Sequence, residues 1–380
     1  MAVRRKIDDY TLCLSCGRSE CTERRFHPIM EKSKERSLKM KKLTIDDVAR
    51  KAGVSKSTVS QYLNQRYQYM SEATRQRIAQ VIEELEYRPN GLARSLKQNR
   101  TYLVGVIVAN IDYNLSIRCV KAIESELQSR GIQTLICNAD EDPDKERSHI
   151  ETLLARQVDG LIVFPTAHQA AIYEKLNEQH TPYVFIDRLV EGVRTQSLLL
   201  DNEAAVKMGV SELIASGHSR IGIMTLPLGV QPITPRKERL AGFRKVMEEA
   251  GLPLCEDYVC SAAAADLADE LAKLMALPEP PTAIIAANDI VLAELLKASN
   301  RQGIQIPQQL SVIGIDDAEF AQIYNPAVTT LSQPAREMGT QAAKIIMAGI
   351  EDKEKPVPIT YRFAPSLQVG ASVKDLRRGE

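Results

Sequence analysis

The stretch GVSKSTVSQYLN, residues 53–64, decides how the N-terminal region folds. It sets seven hydroxyl, amide or amine side chains in twelve residues, and only Val54, Val59, Tyr62 and Leu63 carry much apolar surface. The residues before it, LTIDDVARKA, begin with Thr44 as a helix cap. Asp46 and Asp47 follow in the first turn, where carboxylates suit the positive end of the helix dipole. Ile45, Val48, Ala49 and Ala52 then form a one-sided apolar stripe. Gly53 ends that helix, because glycine tolerates the left-handed backbone of a tight turn. Ser55 caps a second helix running through Leu63, and a third begins at Ser71 with Ile78, Val81, Ile82 and Leu85 on its apolar face. Three short helices, the first two joined by AGVS, predict a helix-turn-helix. Val54, Val59 and Leu63 face inward and leave Lys56, Ser57, Ser60, Gln61 and Asn64 outward. Hydroxyls and amides bond phosphate oxygens or base edges, and lysine serves both. A three-helix subdomain with a purely structural role is the alternative that the spacing leaves open.

Charge separates this region from the rest. Residues 1–100 hold 22 Lys+Arg against 12 Asp+Glu, while residues 101–380 hold 27 against 37, although the whole chain is neutral. A basic head on an acidic body implies a polyanion partner for the head alone. There is no run of 18 apolar residues and no apolar leader, so neither a membrane span nor a secretory signal is expected. Seven scattered cysteines fit a reducing cytoplasm better than a disulfide framework. Cys13, Cys16, Cys21 and His27 have zinc-ligand types and a metal-like first spacing, but nothing around them forms a core. Neither a metal nor a cofactor is therefore expected. Residues 1–41 read as a disordered basic tail lying upstream of the natural start, for which Met30 and Met40 within it are both candidates.

Beyond Thr101 the pattern becomes α/β. Apolar runs at 103–109, 134–137, 160–164, 183–186, 220–225, 283–287 and 311–315 alternate with helical patterns near 117–130, 144–157, 203–216, 236–250 and 289–302. Strands buried on both faces and separated by helices predict parallel sheets flanked by helices, and so many strands fit two lobes better than one. In such sheets the ligand crevice lies at the carboxyl ends of the strands.

LTIDDVARKAGVSKSTVSQYLN followed by MSEATRQRIAQVIEELEYRPNGLARSL resembles the DNA-binding headpiece of the LacI/GalR transcription regulators. The likeness continues over nearly all of 43–373, through CNADEDPDKE, VDGLIV, DNEAA, GHSRIGIM, RLAGF, PTAIIAANDI, SVIGIDD and TTLSQP. The resemblance implies an all-α helix-turn-helix headpiece (42–89), a hinge helix or linker (90–100) and a two-lobed effector-binding and dimerisation domain (101–373) like the periplasmic sugar-binding proteins. It implies crossings between lobes near Arg188, Ser332–Pro334 and Ala364. Lobe one is then about 101–187 plus 334–363, and lobe two about 188–331 plus 364–373.

The resemblance also implies roles. Lys56, Ser57, Gln61 and Asn64 take base-reading positions. Ser55, Thr58, Ser60, Ser71, Thr74, Tyr87 and Asn90 take phosphate or backbone positions. Ala93 and Leu96 match hinge residues that wedge into the minor groove, consistent with a segment too short and polar to be stable unless DNA folds it. Effector positions are Asn110 and Asp112 in the loop 110–114, Arg188 of the Asp187–Arg188 pair, Arg239, Asn288 and Asp316. Two departures stand out. Gln61-Tyr62 replaces the usual arginine and small aliphatic, and glutamine favours adenine where arginine favours guanine. YNLS replaces the NPFF of many sugar-responsive members, so Leu115 and Ser116 stand where rings are usual. Arg118 lies a turn later and, with Arg188 and Arg239, is expected to make the cleft cationic. That pattern, and a likeness of SKSTVSQYLN to regulators of keto-deoxygluconate use, point to an acidic sugar.

The function expected is a sequence-specific DNA-binding regulator, a repressor of carbohydrate-use genes released by a sugar or sugar acid. It would be a cytoplasmic, nucleoid-associated bacterial homodimer. A solute-binding protein and a corepressor-dependent catabolite regulator are the alternatives. No GxxxxGK[ST], GxSxG or HExxH motif occurs and the five histidines form no catalytic group, so no enzyme is expected. No heptad run follows residue 360, which argues against a tetramerising coiled coil.

Overall fold

The computed structural model describes residues 43–87, 100–166, 170–229, 233–351 and 357–377. The chain forms two compact units that divide at Pro89.

The first unit holds α1 (Ile45–Ala52), α2 (Lys56–Leu63) and α3 (Glu72–Glu84). Thr44 N–H donates to the Asp47 carboxylate at 2.9 Å, and Gly53 closes α1 at φ 63°. Ser55 and Ser71 accept the backbone N–H of Thr58 and Thr74, so both following helices are capped in the same way. Val48, Ala49, Ala52, Val59, Ile78, Val81 and Tyr87 are its buried apolar side chains.

The second unit runs β1 (Leu103–Val108), α4 (Asn114–Gln128), β2 (Gln133–Asn138), α5 (Pro143–Ala155), β3 (Gly160–Val163), α6 (Ala170–Glu178), β4 (Tyr183–Ile186) and β5 (Gln196–Leu200). It continues through α7 (Asn202–Ala215), β6 (Ile221–Thr225), α8 (Thr234–Glu249), β7 (Val259–Ser261), α9 (Leu267–Met275), β8 (Ala283–Ala286), α10 (Asp289–Gln302), β9 (Ser311–Ile315), α11 (Glu319–Ile323) and β10 (Thr329–Ser332). It ends with α12 (Ala335–Glu351), β11 (Thr360–Phe363) and β12 (Ser366–Gln368). Two six-stranded sheets result, in the orders β11-β5-β4-β3-β1-β2 and β12-β10-β9-β8-β6-β7. All pairings are parallel except that of β10 with β12. β3 and β4 are buried at every residue, as strands covered by helices on both faces must be. In the first lobe α4 and α12 cover one face and α5 and α6 the other; in the second, α7 and α8 oppose α9 and α10. Gly339 lets α12 lie against α4: a Cβ there would stand 2.6 Å from the Cys119 carbonyl oxygen.

The chain crosses between lobes after Leu200, at Gln333–Pro334 and at Ala364–Pro365. The first crossing corrects the expectation of Arg188. β5 pairs with β4 and β11, so residues 188–200 stay with the first sheet, and a five-residue strand behind a loop was too short to register in the apolar pattern. His218 stands just after α7. It is buried, with Nδ1 2.9 Å from Thr282 Oγ1 and Nε2 3.1 Å from the Lys374 carbonyl, and so ties the end of α7 to the C-terminal segment. Among the described residues no helix is long and apolar enough to cross a membrane.

Candidate DNA-binding face and ligand cleft

In the headpiece, Val59 anchors α2 against α1 and α3, which turns the opposite side of α2 outward. Lys56, Ser57, Gln61 and Asn64 are all exposed, and Thr58 and Ser60 are half-buried at the edge of that face. The Ser55 hydroxyl lies 2.6 Å from that of Ser57 and 2.8 Å from that of Thr58; Ser71 and Thr74 repeat the pairing at 2.9 Å. Two helix N-termini thus present hydroxyls and backbone donors, an arrangement suited to phosphate oxygens. Lys56 Nζ is 3.0 Å from an Asp46 carboxylate oxygen, which aims the amine without burying it. Asn64 donates to the Ser60 carbonyl at 2.7 Å.

Tyr87 is buried in the headpiece core, where burial raises its phenol pKa. Tyr62 packs on the same core and meets Tyr67 edge-on at 5.9 Å, with Arg75 stacked 4.2 Å over Tyr67. Of the Gln61-Tyr62 departure, only Gln61 projects from the face. Asn90, Ala93 and Leu96 lie outside the described residues, as do Cys13, Cys16, Cys21 and His27. Among the described residues no cluster has the makings of a metal site.

In the second unit a cleft open to solvent lies at the carboxyl ends of the strands, the place where open α/β sheets take their ligands. The first lobe contributes Tyr113, Leu115, Ser116, Phe164 and the Asp187–Arg188 pair; the second contributes Thr225, Arg236, Arg239, Asn288 and Asp316; Gln333 enters from a crossing. Asp187 and Asp316 occupy matching places after β4 and β9, with φ of 69° and 79°. Each donates its N–H to the neighbouring strand, at Leu198 and Leu331.

The electrostatics are not those expected. Arg188 is clamped by both oxygens of Glu141 at 2.7 and 2.6 Å, and its Nε lies 3.5 Å from Asp187. Burial works against the Arg188 charge, but the Glu141 bonds raise its pKa; burial likewise opposes the Glu141 charge, and Arg188 holds that carboxyl below its usual range. Tyr113, which also bonds Glu141, is pushed up to about 12, first by burial. Arg118 does not line this cleft. It reaches across to Asp317 at 3.5 Å beside a smaller recess. The cationic trio of Arg118, Arg188 and Arg239 is therefore corrected: one member is elsewhere and another is neutralised. Arg239 donates to the Asn202 amide at 2.8 Å and the Ala287 carbonyl at 2.5 Å, and Arg236 to the Pro227 carbonyl at 2.8 Å, all uncharged partners.

Asn110 and Asp112 do not line the cleft; Asn110 Oδ1 accepts the Asp112 N–H at 2.8 Å and shapes the loop. Asn288 does line it while capping α10 through Val291 N–H at 2.9 Å. Leu115 and Ser116 line the cleft without rings, as expected, while Tyr113, the first residue of YNLS, and Phe164 supply rings to it. Arg236 was missed, although it stands three residues before Arg239, a spacing that shares a helix face. Asp289 bridges the lobes: its carboxylate accepts the N–H of Asn114 and of Ile290, each at 2.9 Å. Burial, then the Asp316 charge, push its pKa up to about 6.

Comparison with known proteins fits both units. Residues 44–90 match the family of bacterial regulatory proteins of the lacI type, and residues 210–373 match a periplasmic binding protein-like domain. The chain is 44% identical over 312 residues to EndR of Paenibacillus polymyxa, named as an HTH-type transcriptional regulator, covering 82% of this chain and 92% of that one. It superposes on the Lac repressor dimer bound to operator and the anti-inducer ONPF with a TM-score of 0.77 and 25% identity, covering 88% and 100% of the two chains. For a complex of the regulator CelR with cellobiose the TM-score is 0.63 at 26% identity, covering 87% and 99%. With its helix-turn-helix headpiece, its two parallel-sheet lobes and this degree of identity, the chain belongs to the LacI family of DNA-binding transcriptional regulators.

Proposed function

We propose that this regulator represses carbohydrate-use genes and leaves its operator when a small sugar or sugar acid fills the cleft. The observation that carries the proposal is the convergence of guanidinium, carboxylate and amide groups from both lobes on one open cleft at the strand ends. Such groups bond ring hydroxyls with fixed geometry, and a ligand gripped by both lobes favours the closed arrangement by its differential affinity. The operator and anti-inducer of the Lac repressor structure and the cellobiose of the CelR structure support the reading by analogy. Within the headpiece, Lys56, Ser57, Gln61 and Asn64 read bases while Ser55, Thr58, Ser60, Ser71 and Thr74 hold phosphates. Two headpieces of a homodimer would then span a pseudo-palindrome, in the cytoplasm where the chromosome lies.

An acidic sugar remains favoured over a neutral one, on different residues from those first expected. The hydrogen-bond partners of Arg236 and Arg239 are uncharged, and although Glu141 lies in the field of Arg236 and Asp187 and Asp289 in that of Arg239, either guanidinium can take a ligand carboxylate without breaking a hydrogen-bonded ion pair. Gel shifts on operator fragments recovered by genomic selection, repeated with glucuronate, galacturonate, keto-deoxygluconate, galactose and cellobiose, test the proposal. Release by one of these supports it. Operator binding that no member of the panel alters would refute the inducer class, and tighter binding would favour a corepressor.

A further inference from the structure

Behind Arg239, a series of hydrogen bonds leads out of the cleft to the hinge. Arg239 is buried, and its Nε donates to Asn202 Oδ1 at 2.8 Å. Asn202, wholly buried at the start of α7, can turn its oxygen to Arg239 only if its NH2 group has an acceptor on the other side. The near acceptor is the Glu238 carboxylate, at 2.8 Å, with the Leu200 carbonyl more distant at 3.4 Å. The opposite amide orientation would set NH2 against guanidinium, donor against donor. Glu238 belongs to α8 in the second lobe, and both its oxygens are held at 2.6 Å by the fork of Arg362, which sits on β11 in the first lobe. Arg362 also reaches the Leu200 carbonyl at 3.3 Å. Leu200 ends the strand before one crossing, and Arg362 stands two residues before another.

We propose that Arg362 and Glu238 are positioning residues for ligand recognition: they act across the hinge to fix the Asn202 amide, which in turn fixes the Arg239 guanidinium in the cleft. The inference rests on the cleft being the ligand site, and nothing in the sequence marks the pair. A partly exposed ion pair adds little to stability, whereas a bidentate fork defines an orientation. The same bonds tie the lobe angle to the readiness of the cleft. A hinge rotation that draws β11 away from α8 releases Glu238, then the amide, then the guanidinium.

The test reads Arg239 directly, in the full-length protein. The side-chain Nε–H signal of Arg239, assigned by its loss in Arg239→Lys, is followed by nuclear magnetic resonance in Arg362→Gln and Glu238→Gln. Both should shift the signal and speed its exchange with water about ten-fold or more, in keeping with loss of a bond to a charged group. Arg362→Lys should restore much of it. Arg244→Gln, which breaks an ion pair with Glu256 elsewhere on α8, should leave it unchanged. The exchanged pair Glu238→Arg with Arg362→Glu restores attraction across the hinge but removes the charged acceptor of Asn202 and leaves it only the distant Leu200 carbonyl, so the signal should stay perturbed. An Arg239 signal unmoved in both Gln variants overturns the relay. Calorimetric titration with galacturonate, glucuronate, galactose and cellobiose gives the second arm. A probe that binds the parent should bind Arg362→Gln about ten-fold more weakly, and equal affinity overturns the role in recognition. If no probe binds the parent, the proposed ligand class fails, while the resonance result still decides the relay.

Discussion

Asp289 allows a quantitative test of how the lobes meet. Its carboxylate is buried and lies within the field of Asp316, so its pKa rises from an ordinary 3.8 to about 6, although the N–H groups of Asn114 across the cleft and of Ile290 that it accepts pull the other way. The folded protein therefore holds a proton on Asp289 that the unfolded chain has already lost between those values. This contribution is greatest below 3.8 and is lost as pH rises through 6. Over the whole span it amounts to about 3 kcal/mol, and between pH 5 and 8 to about 1.4 kcal/mol. Asp289→Asn cannot titrate, yet its amide oxygen still accepts one of the two N–H groups. The stability of the variant relative to the parent should thus improve by about 1.4 kcal/mol from pH 5 to pH 8, with about 1 kcal/mol of the change below pH 6 and a level curve above pH 7. The difference between two proteins cancels the titration of distant groups. Urea unfolding followed by far-ultraviolet circular dichroism suits a chain without tryptophan. A flat difference curve, or one falling with pH, would show that Asp289 does not carry the charge cost ascribed to it.

Other outcomes follow from the packing and the headpiece face. Val59→Ala removes a wholly buried side chain from the headpiece and should cost roughly 1–3 kcal/mol of its stability, seen as a lower melting temperature for DNA binding. Gly339→Ala forces a methyl group toward backbone of α4 and should destabilise the first lobe by about 1–3 kcal/mol, read by the same urea assay. Lys56→Gln should weaken binding to its operator and reduce the slope of log K against log salt by about 1 if the amine neutralises a phosphate. A binding-site selection with Gln61→Ala should lose a preference at one position of each half-site; an unaltered selection rules out base reading there. Burial lowers the His218 pKa, so its ring should remain mostly neutral at pH 6.5 by nuclear magnetic resonance. The stability it lends is held above 6.5 and is lost as pH falls below it.

Much of this molecule can be read from residue order because local rules and global fold agree in it. The caps at Ser55 and Ser71, the glycine at 53 and the apolar stripe of α3 each depend on neighbours within a few residues. The strands 183–186 and 311–315 stand out because burial on both faces leaves them almost wholly apolar, Ser311 apart. What sequence did not disclose depends on distance. β5 is a strand because β4 and β11 flank it, and β11 comes some 160 residues later. Glu141 neutralises Arg188 through a loop whose backbone runs at φ 58°. Arg118 was placed on the right helix, yet Asp317, which draws it out of the cleft, follows β9 in the other lobe. Residue type and spacing thus nominate charged groups, but only the fold decides which of them already have partners.

The small core of the headpiece has a thermal consequence. Among the described residues seven buried apolar side chains, with partly buried ones packed around them, hold three helices together, whereas each lobe of the second unit is built on a full sheet with helices on both faces. So little buried surface leaves a narrow margin against unfolding, and a bound operator adds to it by mass action. As temperature rises, the regulator should therefore lose its free headpieces first and keep a competent cleft. Heat would derepress its genes without any ligand, and genes whose operators bind most weakly would escape first.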